Sequence, residues 1–129
     1  MSPRDNTNAL QQLIESFCET KEFKSDKVHS SYWQEEPCKM SFYNAAIFIG
    51  KLTNDHPNPD IDCDNRGEIN MEWYKSGCQT LYLSFLSEGT LAYSCKLPEE
   101  DKCCCGEIPF EGTVPDIIDS LIRQVFKKD

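Results

Sequence analysis

The sequence predicts a single α+β domain, an antiparallel sheet of three or four strands packed by N-terminal, middle and C-terminal helices. Three observations carry that expectation. Between Glu68 and Leu97 three segments alternate apolar and polar residues with a period of two, joined by short Gly-containing turns. The flanking segments instead repeat their apolar residues every three or four positions, the spacing of amphipathic helices. A chain of 129 residues supports one hydrophobic core rather than two. The domain is therefore read as 1–129, with 1–7 as a flexible lead-in.

In chain order, "NALQQLIESFCETKE" at 8–22 places Leu10, Leu13, Ile14, Phe17 and Cys18 on one stripe, opposite Gln11, Gln12, Glu15 and Glu19. The segment from Phe23 to Met40 has no clean period and holds Pro37, so it reads as loop, with Trp33 as its anchor. Ser41 is placed to cap a helix running to about Leu52, with Phe42, Ala45, Ala46, Ile49 and Leu52 on one face and Ile47 and Phe48 widening it. Pro57 and Pro59 end any further helix. The turn "DNRG" then launches a strand in which Ile69, Met71 and Trp73 share a face. Leu81, Leu83 and Phe85 continue the pattern after "KSGCQ", as do Leu91, Tyr93 and Cys95 after "SEGT". "EIPFE" at 107–111 reads as a short edge strand, because Pro109 is tolerated at an edge and not inside a sheet. The closing helix has a capping box at Thr113 and Asp116, Pro115 in its first turn, and Lys127 and Lys128 at its C-terminal end. Its apolar positions are Val114, Ile117, Ile118, Leu121, Ile122, Val125 and Phe126.

Net charge is −9, from 22 acids against 13 bases. Such a polyanion is repelled by nucleic acid and by anionic membranes and drawn to basic protein surfaces. The N-terminal stretch has no apolar signal region and no apolar run reaches membrane-spanning length, so a soluble, cytoplasmic protein is expected. In that compartment the eight cysteines stay reduced, and Cys18, Cys78 and Cys95 read as small buried hydrophobes.

The stretch "DIDCDNRGEIN" fails as a calcium loop: counted from Asp62, the fifth position is Arg66 and the twelfth is Trp73, and no helices flank it. Its carboxylates read as an acidic rim. Cys103, Cys104 and Cys105 are adjacent rather than spaced as a zinc pair, so no metal is expected there and the run reads as a loop. A nucleophile pair drawn from Cys38 or Cys63 with His29 or His56 has no supporting motif, and no phosphate loop or hydrolase signature occurs. No catalytic residue and no cofactor are expected. The charge distribution says more. Six acids and one base lie between Asp55 and Glu72, five acids and one base between Glu99 and Glu111, while Glu88 is the only charge in 76–95. Acidic loops at the margins of a neutral sheet are a footprint for a basic partner.

The run "DNRGEINMEWYKSGCQTLYLSFLSEGTLAYS" resembles a loose group of short bacterial proteins of undefined role, with an Asp/Gly turn, a Trp-bearing strand and two further strands. The likeness covers about 57–95 plus the closing helix and implies a fold core, not chemistry. In size, acidity and lack of catalytic motifs the chain is also similar in kind to phage-encoded anti-CRISPR inhibitors. The expectation is a non-enzymatic acidic protein that masks a basic surface, possible targets including a nucleic-acid-handling defence complex. Asp60, Asp62, Asp64, Glu99, Glu100 and Asp101 are its candidate binding residues, with no direct nucleic-acid or membrane contact. Alternatives are an immunity- or antitoxin-type protein using aromatics such as Trp33 and Tyr74, and a small zinc-stabilised module.

Overall fold

The computed structural model describes residues 8–15, 39–98 and 102–127. Several expectations lie outside them: the flexible lead-in 1–7, the first helix beyond 15, the loop with Trp33 and Pro37, Cys18, His29 and Cys38, the acids Glu99, Glu100 and Asp101, and Lys128.

The architecture is α+β, a five-stranded antiparallel meander with helices on one face. Helix α1 covers 8–15 and α2 spans Lys39–Lys51. The strands are β1 (Asp60–Cys63), β2 (Ile69–Ser76), β3 (Gln79–Phe85), β4 (Thr90–Leu97) and β5 (Lys102–Pro109), followed by α3 (Asp116–Val125). Spatial order follows chain order.

Register explains the core. Met71 stands between Ile61 and Leu83, Trp73 beside Leu81, and Phe85 between Ile69 and Leu91, all on one face. That face is buried over β2 and β3 and partly covered toward β5, with Ala9 and Leu13 of α1, Ala45, Phe48 and Ile49 of α2, and Ile118, Leu121, Ile122 and Val125 of α3 packed into it. Phe48 is the hub, meeting Trp73, Phe85 and Phe110 at ring-centroid distances of 6.0, 5.4 and 6.4 Å. The first two contacts are edge-to-face and the third tilted; edge-to-face packing adds about 0.5–1.5 kcal/mol per pair beyond area burial.

The structure corrects five details. The sheet has five strands, because Asp60–Cys63 is a strand in its own right and not only a rim leading to a turn. β5 begins at Lys102, so the three adjacent cysteines are in a ladder, not a loop. Ser41 does not cap α2, which starts two residues earlier. Its buried hydroxyl accepts from Ile69 N–H and donates to Phe85 carbonyl, bridging β2 and β3 where their ladder would otherwise open. No side chain caps α3, whose N-cap is Pro115, and the Thr113 box is absent. At its other end Lys75 Nζ and Gln79 Nε2 donate to the carbonyls of Lys127 and Val125, so the β2–β3 hairpin closes the helix. Finally, the apolar stripes are narrower than the spacing predicts, since Leu10, Ile14, Ile47 and Ile117 are exposed.

Other expectations hold. "DNRG" is a turn, closed by Gly67 N–H on Asp64 carbonyl, with Gly67 at φ 82° where a side chain would be strained. Pro109 ends the edge strand: Phe110 N–H bonds Gly89 carbonyl, so by alternation Pro109 faces away from β4 and no ladder donor is lost.

Candidate acidic groove on the open sheet face

Alternation sends the other set of strand residues to the opposite face, over which none of the described helices packs. On β1 these are Asp60 and Asp62, and each aligns with a polar row. Asp60 is beside Glu72 and then Tyr82; Asp62 is beside Asn70 and then Ser84. Asp64, at the start of the turn, extends the acidic column. Asp60 and Asp62 are exposed and Asp64 and Glu72 half-buried. Tyr74 and Tyr82 show 58% and 40% of their surface, large for aromatics on a sheet. Of the six sequence-predicted acids, the structure brings these three together; the other three lie outside the described residues.

The chemistry of this corner is one-sided. Asp64 Oδ1 accepts from Arg66 and Glu68 N–H at 2.9 and 3.1 Å, which shapes the turn. Asn70 is only 5% exposed, and its Nδ2 donates to Asp62 Oδ1 and Asp64 Oδ2, both at 3.3 Å. Those bonds are long against the usual 2.9–3.0 Å. Asn70 Oδ1 is buried with no partner, an arrangement that costs about 1–3 kcal/mol. Beside it a shallow groove of about 50 Å³ is lined by Asp60, Ile61, Asp62, Asn70, Met71, Glu72 and Tyr82. Ile61 and Met71 send their side chains to the core, so their main chain forms the floor. Partial burial, then the charges of Asp62, Asp64 and Glu72, raise the Tyr82 phenol above its ordinary value. Among the described residues, no cationic side chain is in an ion pair with these acids.

A second constellation joins the loop after α2 to α3. His56 is 4% exposed, accepts from Thr53 N–H at Nδ1 (2.9 Å) and meets Asp119 Oδ1 at Nε2 (2.6 Å). An amide donor at Nδ1 requires the proton on Nε2, which therefore donates to Asp119. The hydrogen bond from His56, then that from Arg123, holds the Asp119 carboxyl below its usual range. Thr53 Oγ1 lies 3.2 Å from Nδ1 and superficially completes a hydroxyl–imidazole–carboxylate series. Thr53 amide already occupies that nitrogen, and Oγ1 accepts from Asp55 N–H, so the geometry is that of a clasp. Sequence reasoning offered His56 only to cysteines and missed Asp119, a contact 63 residues away with no local signal.

The cysteines divide by face. Cys95 and Cys104 are cross-strand neighbours toward the core, whereas Cys103 and Cys105 are exposed on the open face. Cys78, read as buried, is exposed in the β2–β3 turn. Alternation prevents three adjacent thiols from converging on one ion, and no group of three or more metal-ligating side chains gathers among the described residues. None of the described helices is long and apolar enough to cross a membrane.

No family model, curated protein or solved structure matches the chain.

Proposed function

We propose that the protein is a non-enzymatic acidic binding module whose open sheet face docks on, and masks, a basic surface of a protein partner. The observation that carries this is the column Asp60, Asp62 and Asp64 with Glu72, solvent-facing and flanked by Tyr74 and Tyr82. Clustered carboxylates satisfy Arg and Lys side chains that otherwise bind a phosphate backbone. A nucleic-acid channel of a cytoplasmic defence complex is the kind of surface that fits, which would place the module with anti-CRISPR-type inhibitors. Exposed aromatics beside the acids supply the apolar contact that charge alone lacks.

The test is affinity capture with the intact chain and with Asp60, Asp62 and Asp64 all changed to Asn. Asn retains the oxygen that shapes the turn at position 64 and removes three charges. The reading expects a basic partner held by the native chain at low salt and lost from the variant. A partner retained equally by a folded variant overturns it. A second reading, an immunity-type contact through the aromatics, is favoured by the exposure of Tyr74 and Tyr82. It predicts that Tyr74→Ala and Tyr82→Ala abolish capture while the Asn triple does not.

A further inference from the structure

We infer that the groove beside Asn70 is a guanidinium site, seating one arginine side chain of the basic partner; this rests on the function proposed above and names the group at its centre. The groove presents acceptors. Asp60, Asp62 and Glu72 are three of its walls, and a carboxylate has no proton to give. Tyr82 is the fourth, a ring on which a planar cation stacks. Carboxylates on two strands alone would be an ordinary solvated surface. What sets this corner apart is Asn70, 5% exposed, with an oxygen left unpaired and with both its donor bonds stretched to 3.3 Å.

The amide bridges two carboxylates that no cationic side chain among the described residues pairs with. A guanidinium brings five N–H donors in a planar fork, enough to take over Asp62 and a neighbouring acid together. Once Asp62 is engaged from outside, Asn70 Nδ2 no longer has to divide itself between two carboxylates at 3.3 Å and can close on Asp64. An ammonium offers one compact charge with no flat face for Tyr82, so arginine is preferred to lysine. The groove is small but open outward, so only the head group enters and the aliphatic stem leads back to the partner.

The experiment is a titration of the full ¹⁵N-labelled chain with L-arginine amide, followed by amide spectra and by the Tyr82 phenol titration. Lysine amide, calcium chloride and sodium chloride at matched ionic strength run in parallel. Arginine amide is expected to move the Asn70 side-chain amide and the main-chain amides of residues 60–62 and 70–72 selectively. It is also expected to shift the Tyr82 titration downward, since a nearby cation favours phenolate. The double change Asp62→Asn with Glu72→Gln should weaken binding about tenfold, and Tyr82→Leu should erase the preference over lysine amide. Shifts reproduced by sodium chloride would reduce the site to general screening and overturn the inference. An equal response to lysine amide would overturn the guanidinium assignment, and a response at Asn70 to calcium alone would make this a metal site instead. If arginine amide leaves the groove untouched while the Asn triple still loses the captured partner, this inference fails and the proposed function stands. If arginine amide binds but the triple keeps its partner, the proposed function fails.

Discussion

Replacing Trp73 with Ala removes the largest side chain in the core. Trp73 is 1% exposed, meets Phe48 edge-to-face at 6.0 Å, and donates through Nε1 to Pro57 carbonyl at 2.8 Å. Truncation of a buried Trp costs about 3–5 kcal/mol, from lost burial and the cavity left behind. The carbonyl of Pro57 loses its donor as well, which adds about 1 kcal/mol, so about 4–6 kcal/mol is expected in all. Total stability at about 0.05–0.15 kcal/mol per residue is about 6–19 kcal/mol for a chain this long. A two-state urea titration followed by far-ultraviolet circular dichroism reads the difference. With a slope of about 2 kcal/mol per molar urea, the midpoint should fall by about 2–3 M. Trp73→Phe keeps the ring on Phe48 but not the indole donor, and should move the midpoint by roughly a quarter to a half as much. A midpoint unchanged in Trp73→Ala would mean the Phe48–Trp73–Phe85 cluster is not the centre of the core. Equal loss in the two variants would mean the Pro57 bond outweighs the packing.

Three further outcomes follow from local geometry. A Cβ at Gly106 would lie 2.8 Å from Tyr93 Oη and 3.0 Å from Cζ, so Gly106→Ala should cost about 1–3 kcal/mol, recovered in large part when combined with Tyr93→Leu in a double-mutant cycle. The Asp119 carboxyl is held low by His56 and Arg123 in the folded state, so its contribution is complete above the unfolded value of about 3.9 and lost as pH falls through the folded one. The stability difference between native chain and Asp119→Asn should therefore be constant near neutrality and vanish on acidification. Burial, with Cys104 and Cys103 nearby, pushes the Cys95 thiol up to about 11, leaving about one thiolate in a thousand at pH 8. Peptide mapping after brief alkylation should find Cys103 and Cys105 modified and Cys95 intact; early labelling of Cys95 would mean β4 and β5 open readily.

Much of the sheet was legible because Ile69–Met71–Trp73, Leu81–Leu83–Phe85 and Leu91–Tyr93–Cys95 alternate cleanly, and one buried face forces that register. β1 was hidden in plain view. "DIDC" alternates too, but four residues between a Pro-rich segment and a turn are too short for periodicity to separate strand from loop. The cysteines of β5 misled for a different reason: three identical residues have no alternation to read, and only pairing with Cys95 and its neighbours makes them a strand. In the site, the acids were identifiable by charge, whereas Asn70 was not. Its significance comes from burial between Asp62 and Asp64, which depends on β1 lying beside β2. The same applies to Ser41, a sound helix cap by type that the tertiary fold instead places against Ile69 and Phe85.

If the open-face carboxylates make this protein a ligand for basic surfaces, as proposed, its association must depend on ionic strength. Exposed charges are screened beyond about 8–10 Å at physiological salt, and rim charges act chiefly on the rate of encounter. The association rate with the captured partner, measured from low to high salt, should fall steeply for the native chain. It should start lower and fall less for the variant carrying Asn at positions 60, 62 and 64, with dissociation changed less than association. An association rate that is independent of salt, and the same in the folded variant, would mean that these carboxylates do not carry the contact.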